Sequence, residues 1–463
     1  MKANIFLSIT MLLGLMLSRV SISSSQAQGF KHLRYDEDYS HLRDSSTLSW
    51  YEQMKFTRLN ASGTAYFSAG GEVRYQYFKF ENEEWGDAPE DNDGFLLNRL
   101  LLHGDLHINR RIRLFGQLQS SIAVGRIDPS PVESNELELH QIFVDVNLLQ
   151  EDQTKLVLRF GRQELNYGSS RLISTREGPN NRQSFDGGKL FYVRKSFKAD
   201  VFYSDYVASH PGIFNDDFFT DKVKFGGVYV ALNHIPVLQH VDLYYLGQRK
   251  QLARWNDVSG REERHSVGSR IWGTAKRWSY DVEGLFQFGD IRENTIRAWT
   301  LSSNIAYKLG AKDLSPSIGL KTELISGDDK PGDDRIESFN PLYPRGAYFG
   351  YAALIGPSNL FDLHPSFDFP LSKVADLSVD YDIFWRYSGQ DGIYNPGTGQ
   401  IYAAGPTDSR FIGHQISAAL ELSPNKFTYF RLETTWFKAG TYLRDVGNGK
   451  DIFYTGVTAT LRF

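Results

Sequence analysis

The sequence predicts an all-β protein, a transmembrane antiparallel β-barrel of the bacterial outer-membrane type. Three observations predict it: an N-terminal export signal, period-two alternation of apolar and polar residues in many segments, and a strand-like C-terminal segment that closes on Phe463. Beyond the signal, no apolar run is long enough for a membrane-spanning helix. Because only helices and closed barrels satisfy the backbone in lipid, a barrel is the architecture that remains.

The C-terminal segment shows the alternation most clearly. Counting back in twos from Phe463 gives a mostly apolar face, and the interleaved residues are mostly polar or small; the two sets are Leu461, Ala459, Val457, Thr455 and Phe453, and Arg462, Thr460, Thr458, Gly456, Tyr454 and Ile452. A strand with one lipid face and one wet face, ending on an aromatic residue, is typical of outer-membrane barrels. We expect this strand to be what the barrel-assembly machinery recognises.

The N-terminus reads as a secretory signal peptide over residues 1–27. Lys2 precedes a short apolar stretch at 5–17, and the small residues Ser25 and Ala27 mark a cleavage site after Ala27. The apolar stretch is too short to span a bilayer comfortably. The predicted location is therefore the cell outer membrane, with lipid and lipopolysaccharide around the barrel.

Composition narrows the class further. The chain has no Cys, and its 51 basic and 55 acidic residues nearly balance, so no overall field favours nucleic acid. Aromatic residues make up 14% of the chain although the mean hydropathy is only −0.39. Barrels combine these properties because each lipid-facing residue alternates with a wet one. A soluble β-sandwich or propeller is the alternative that composition alone leaves open.

Connections of two kinds separate the predicted strands. Short ones at 109–111 and 423–425 suit periplasmic turns, and long polar ones at 81–94, 326–346 and 389–408 suit extracellular loops. Residues 28–65 have a weak pattern and read as an N-terminal extension or the first segment of the barrel. The barrel itself is assigned to residues 66–463, a length that accommodates about 16–18 strands.

Several motifs in this region resemble one known family. They are the run Arg159-Phe-Gly-Arg-Gln-Glu-Leu165, then Arg176-Glu-Gly-Pro-Asn180 and Ser184-Phe-Asp-Gly187, with Phe339-Asn-Pro-Leu-Tyr343 and Gly413-His414 further on. In order and spacing these resemble the alginate-export family of outer-membrane barrels, over roughly residues 70–463. The resemblance implies an 18-stranded monomeric barrel whose lumen carries Arg and Lys side chains for an anionic polyuronate chain. The acidic 81–94 loop differs from that of the alginate secretors. The resemblance therefore predicts the fold more reliably than the substrate.

Arginine is concentrated in the part of the chain that carries this resemblance. Guanidinium groups bind carboxylates through planar, forked contacts, and a ring of them would favour an anion. The candidate pore-lining or substrate-binding residues are Arg74, Arg99, Arg159, Arg162, Glu164, Arg171, Arg176, Arg182, Lys321, Arg386 and Arg431. The alternative is that these groups pair with Glu177, Asp186 and other acids, and hold inward-folded loops without touching solute.

One pair of candidates conflicts with a regular strand. Arg159 and Arg162 are three residues apart, so both face inward only if the strand is irregular at Gly161.

The first functional hypothesis is an outer-membrane channel for anionic saccharides, and the second is a general or organic-anion porin of the same fold. A surface barrel enzyme is a weaker alternative, because no hydrolase or phosphate-binding motif is present. A loop-borne adhesin is a third, weaker option. No cofactor or metal is expected. His103 and His107 lie about 13 Å apart on a strand, too far to share an ion, and the acidic loop 327–335 reads as solvated.

Overall fold

Eighteen antiparallel strands close into one barrel, as the sequence predicts. The computed structural model describes residues 29–151 and 153–463, so the predicted signal peptide at 1–27 lies outside the described residues. The strands are β1 Tyr66–Glu81, β2 Phe95–His107, β3 Ile112–Val124, β4 Asn135–Glu151, β5 Thr154–Gln163, β6 Phe185–Arg194, β7 Phe197–Tyr206, β8 Val223–Ile235, β9 Gln239–Trp255, β10 Val258–Ala275, β11 Trp278–Ile291, β12 Asn294–Lys308, β13 Ser317–Ile325, β14 Leu360–Ser372, β15 Ala375–Arg386, β16 Phe411–Leu422, β17 Thr428–Ala439 and β18 Ile452–Arg462.

The barrel closes where the last strand meets the first. β18 pairs with β1 from Glu72 opposite Arg462 to Glu81 opposite Phe453. Beyond this ladder, the Gly71 and Phe463 backbones exchange hydrogen bonds of 2.8 and 3.0 Å. The terminal aromatic residue therefore belongs to the seam, and every long strand has a partner on both sides.

Side chains on the strands divide between an outer apolar surface and an inner polar one. On β2, Leu100 and Leu102 are 38% and 41% exposed, whereas Arg99 and His103, which flank this pair in sequence, are buried. Because successive side chains of a strand point to opposite faces, the exposed leucines face lipid and the buried polar groups face the lumen. The same division holds on β3, where Leu114 is exposed and Gln117 is buried.

The connections at the two ends of the barrel differ in length. At one end they are short, for example 108–111, 195–196, 276–277 and 423–427. At the other end the long ones are 82–94, 125–134, 164–184, 207–222, 326–359, 387–410 and 440–451. Long loops on outer-membrane barrels are extracellular and short turns periplasmic. The predicted asymmetry is confirmed, and the loop after β13 is longer than the sequence indicated.

The segment between Asp38 and β1 is mostly irregular. It contains a short 3-10 helix, Ser40–Asp44, and one helix, Trp50–Lys55. Ser49 caps the helix by a reciprocal pair: its hydroxyl accepts from the Glu52 N–H at 3.3 Å, and the Glu52 carboxylate accepts from the Ser49 N–H at 2.8 Å. Thr57–Arg58 then pairs with the start of β1.

Residues 29–37 form a separate unit. Within it, a 3-10 turn at Arg34–Asp36 is held by an ion pair of 2.6 Å between Arg34 and Glu37. Helices elsewhere are also short, and none among the described residues is long and apolar enough to cross a membrane.

Gly161 resolves the conflict between Arg159 and Arg162. Its φ of +132° lies in a region that L side chains rarely adopt, and it interrupts the alternation on β5. Phe160 is 56% exposed on the lipid face, while Arg159 and Arg162 are both buried inside. The irregularity that the spacing required is therefore located at this glycine.

We expect Gly161→Ala to destabilise the barrel by about 1–3 kcal/mol, because a Cβ there would lie 2.2 Å from the Ile142 carbonyl oxygen in a strained backbone. The measurement is urea unfolding in detergent, followed by the gel-mobility difference between folded and unfolded barrel. Gly116→Ala on β3 is the matched control, since its added Cβ would meet nothing within 4 Å. Equal unfolding midpoints for the two variants would contradict the assignment.

Candidate functional site

The loop 164–184 folds back into the barrel, and we call it the first inserted loop. Its backbone is held by the inner wall: Arg74 donates from Nη1 to the Glu177 carbonyl and from Nη2 to the Pro179 carbonyl, both at 2.8 Å. Asn180 donates to the Asn98 carbonyl at 3.1 Å, on β2. Hydrogen bonds from the Arg74 guanidinium and the Asn180 amide thus fix the loop tip against β1 and β2.

Glu177 is the residue of this loop that pairs with several arginines at once. Its carboxylate forms ion pairs with Arg99, with Arg182 at 2.8 Å and with Arg74 at 3.7 Å, and Arg99 also binds Glu72 at 2.6 Å. Burial alone would raise the pKa of Glu177, but Arg99, Arg182 and Arg74 outweigh it and hold this pKa well below its ordinary value. Glu177 is therefore a carboxylate at every physiological pH.

Two further candidates, Arg182 and Glu164, bind each other within the same loop. Arg182 Nε lies 2.7 Å from Glu164 Oε1, and that oxygen is also 2.8 Å from His140 Nε2 on β4. All three side chains are buried. Glu164 therefore neutralises Arg182 and anchors the start of the loop.

Arg171 reaches the opposite wall. Its guanidinium lies 3.1 Å from Glu283 on β11 and 3.5 Å from Glu323 on β13, and its Nε donates to the Tyr348 hydroxyl at 2.6 Å. One side chain therefore joins the first inserted loop to two distant strands and to Tyr348.

Tyr348 belongs to the loop 326–359, the second inserted loop. The two loops pair through their backbones: Ser174 N–H donates to the Tyr343 carbonyl at 3.0 Å, and Tyr343 N–H donates to the Leu172 carbonyl at 2.8 Å. Arg345 N–H donates to the Ser170 carbonyl at 3.1 Å. The two loops thus meet inside the barrel and occupy part of its cross-section together.

Arg386, at the end of β15, organises a third loop, 387–410. Its side chain is buried and donates to the carbonyls of Ser409, Gly389, Asp391, Ala404 and Thr407 at 2.9–3.1 Å. Its guanidinium also lies 3.9 Å from the centre of the Tyr442 ring. The N–H groups and the planar face of this guanidinium are therefore engaged by other parts of the protein.

The remaining wall candidates also have acidic partners. The ion pairs are Arg159 with Asp145 at 2.7 Å, Arg162 with Asp186 at 2.8 Å, Lys321 with Glu323 at 3.4 Å, and Arg431 with Glu433. The structure thus brings most sequence-predicted cations next to carboxylates, which is the arrangement expected of charges taken out of bulk water.

Arg176 differs from the other candidates. It is half-buried, its Nη1 lies 3.4 Å from the Tyr206 hydroxyl, and within the described residues no carboxylate comes within 4.0 Å of it. Arg345 of the second inserted loop, which sequence reasoning missed, is exposed and lies over the Tyr348 ring at 5.7 Å. Among the described acids it too has no ion-pair partner within 4.0 Å. Both arginines sit where the two inserted loops meet.

A buried carboxyl pair connects the second inserted loop to the third loop. Asp328 N–H donates to Asp391 Oδ2 at 3.0 Å, and Asp391 also accepts from Ser338 Oγ at 2.5 Å and from the Tyr394 hydroxyl at 2.6 Å. Burial raises the pKa of Asp328 to about 7; a hydrogen bond from the Lys330 N–H opposes this, and the neighbouring Asp391 adds to it.

The closed barrel with a polar lumen and inserted loops defines an outer-membrane channel protein of the porin type, a class that is not enzymatic. The family model described as alginate export matches residues 65–452. The chain therefore belongs to the alginate-export family. Membership of this family supports passage of anionic substrates across the outer membrane. No curated protein matches the sequence.

Solved structures of similar fold are bacterial outer-membrane proteins. OccK3 (OpdO) of Pseudomonas aeruginosa is 10% identical, with 86% of this chain and 95% of that chain covered and a TM-score of 0.56. OccAB1 of Acinetobacter baumannii is also 10% identical, with coverages of 89% and 99% and a TM-score of 0.56. P. aeruginosa OpdK, solved with vanillate, is 9% identical, with coverages of 86% and 98% and a TM-score of 0.55. At these identities the likeness shows the fold alone.

Glu177→Gln is expected to loosen the first inserted loop and raise channel conductance. The amide removes the charge that Arg74, Arg99 and Arg182 share, and a loss of about 1.4 kcal/mol in docking raises the undocked population about tenfold. Single-channel recording in planar bilayers measures this. Asp281→Asn, which breaks a 2.6 Å pair with Arg270 on the wall, is the control and should leave conductance unchanged. Unchanged conductance in Glu177→Gln would show that the loop is held by other contacts.

The second inserted loop is expected to loosen as pH rises from about 4 to about 7. The docked Asp328 carboxyl has a pKa of about 7 against an ordinary 3.8, so over this window the undocked loop binds fewer protons than the docked loop, and docking loses stability until both states are ionised above pH 7. Conductance should therefore rise by roughly severalfold between pH 5 and pH 7 and change little above that. Asp328→Asn should flatten this profile, and Asp334→Asn, at an exposed site on the same loop, should not. Identical profiles in all three proteins would refute the role of Asp328.

Proposed function

We propose that this protein is a passive outer-membrane channel for anionic saccharides of the polyuronate class. Membership of the alginate-export family supports the substrate class. The observation that carries the proposal is the position of Arg176 and Arg345, two guanidinium groups without carboxylate partners among the described residues, at the meeting point of the inserted loops. A forked guanidinium contacts a uronate carboxylate in the same way that it contacts Glu or Asp.

The mechanism that we propose divides the basic residues into two groups. Arg74, Arg99, Arg159, Arg162, Arg171, Arg182, Lys321, Arg386 and Arg431 shape the lumen by holding its loops and wall, and Glu164 belongs with them. Arg176 and Arg345 contact solute. Several weak charge contacts admit an anion without trapping it, and the solute gradient sets the direction of transport.

A second candidate is a porin for small organic anions. The observation that favours it is the pairing of the two inserted loops, which narrows the lumen around Arg176 and Arg345. An aromatic acid fits such a site because Tyr206 and Tyr348 lie beside the two arginines. OpdK, one of the proteins of similar fold, was solved with vanillate.

We also propose that the barrel works as a monomer in contact with lipid and lipopolysaccharide. The pairing of β18 with β1 leaves no long strand edge for another chain. The Phe463 strand is the segment that we expect the barrel-assembly machinery to bind.

The test is the reversal potential of the purified barrel in a planar bilayer under a salt gradient. Wild type should prefer anions and should be blocked by oligouronate but not by neutral oligosaccharide. The double variant Arg176→Gln and Arg345→Gln should lose about tenfold or more in block, which corresponds to about 1.4 kcal/mol of binding. The double variant Arg110→Gln and Arg111→Gln, at two exposed arginines in the short turn 108–111, is the charge-matched control.

The outcomes separate the candidates. Block by vanillate-sized carboxylates but not by oligouronate would favour the organic-anion porin. Cation preference, or block that the double variant leaves unchanged, would contradict both anion proposals.

A further inference from the structure

Three potential metal ligands lie close together on the inner wall, in a cluster that does not include Arg176 or Arg345. Asp362 and His364 lie two residues apart on β14, so they share a face, and the pairing of Leu363 with Ile383 brings Asp382 of β15 beside them. One ligand atom from each of the three lies within 4.8 Å of the others.

The two carboxylates in this cluster lack hydrogen-bond donors. Asp362 and Asp382 are both 0% exposed, and neither oxygen of either side chain receives a hydrogen bond from the described residues. Asp382 has one ionic contact, 3.0 Å to His364 Nδ1. A buried carboxylate without a cation or donors is strongly unfavourable, so each of these groups must either take up a proton or have a positive charge close by.

The nearby basic side chains are engaged elsewhere. Lys321 Nζ lies 3.4 Å from Glu323 and 3.3 Å from the Tyr348 carbonyl, and Arg171 binds Glu283 and Glu323. Over the described ranges, no Lys or Arg nitrogen comes within 4.0 Å of the Asp362 or Asp382 carboxylate. Neither carboxylate therefore forms a direct ion pair with Lys or Arg among the described residues, and His364 is the base that contacts Asp382.

We propose that Asp362, His364 and Asp382 bind one divalent transition-metal ion, with Zn²⁺ as the probe. Zn²⁺ takes imidazole nitrogen and carboxylate oxygen at about 2.0–2.2 Å, so two ligands of one ion lie about 3–4 Å apart, and the present spacing needs only small inward movements. The imidazole selects against Ca²⁺ and Mg²⁺, which prefer sites made of oxygen atoms.

A doubly hydrogen-bonded imidazolium is the competing arrangement. His364 Nε2 lies 3.0 Å from Asp380 and Nδ1 lies 3.0 Å from Asp382, so a protonated ring would bridge those two acids. That arrangement leaves Asp362 to take up a proton, whereas an ion among the three side chains neutralises both buried carboxylates and leaves Nε2–H to donate to Asp380. A carboxylate that accepts from the outer nitrogen of a ligating His is the usual support for such a ligand.

The position of the site gives the ion a structural role. Asp362 pairs in register with Glu323 on β13, and Glu323 accepts from Tyr348 of the second inserted loop at 2.9 Å and binds Arg171 of the first. The ion therefore stabilises the wall to which both loops attach. This inference is independent of the proposed solute.

Isothermal titration of the EDTA-treated full-length barrel with Zn²⁺ tests the site. We expect one ion per chain, a higher thermal unfolding temperature with Zn²⁺, and binding at least tenfold weaker in Asp362→Asn and in His364→Gln. His140→Gln is the matched control, because His140 is buried more completely than His364 and lies 2.8 Å from a carboxylate, but from only one among the described residues. It should bind Zn²⁺ as wild type does.

The proposal would be overturned by the absence of stoichiometric Zn²⁺ binding, or by binding that Asp362→Asn and His364→Gln leave intact. If these variants do not fold, Co²⁺ added to the wild-type barrel provides a readout, since a His-ligated site gives visible absorption that Zn²⁺ displaces. Tighter binding of Ca²⁺ than of Zn²⁺ would exclude His364 as a ligand and contradict the assignment.

Discussion

Backbone hydrogen bonding in the bilayer is the constraint from which the rest of this structure follows. A strand edge left open in hydrocarbon would expose unsatisfied N–H and C=O groups, so β18 must return to β1. The Gly71 and Phe463 backbones extend that seam beyond the regular ladder. Once the sheet is closed, strand geometry sends every second side chain inward. The enclosed lumen must then accommodate many polar groups that a soluble β-protein would expose to water.

Charge pairing is how the lumen accommodates them. The inserted loops remove Glu72, Arg99, Glu164 and Arg182 from bulk water, and each of these groups lies against an opposite charge. An arginine-rich sequence therefore does not by itself make an arginine-lined pore. Most guanidinium groups bind other parts of the protein, and in the proposed mechanism charge selectivity depends on the few that remain unneutralised.

The sequence predicts the fold well because the fold is encoded in a local pattern. Period-two alternation identifies strands such as β2 and β3, and the Arg159–Arg162 spacing even locates the irregularity at Gly161. The partners of a side chain on other strands cannot be predicted in this way, since they depend on the register of the strands and on loops that fold back. Nothing near Arg386 in sequence shows that five carbonyls of its own loop surround it. Asp362, His364 and Asp382 become a group only when β14 and β15 are aligned.

The proposed function links selectivity physically to opening. Arg176 and Arg345 are carried by the same loops that Arg74, Arg99 and Arg171 fasten to the wall. A polyanion that approaches the two accessible arginines also offers carboxylates to the fastening arginines, in competition with Glu177 and Glu323. Such an exchange conserves the number of ion pairs. Detaching a loop in this way therefore costs less free energy than breaking its ion pairs without replacing them. In the proposed channel, an anionic chain is then able to open the path that it uses, whereas a neutral sugar has nothing to exchange.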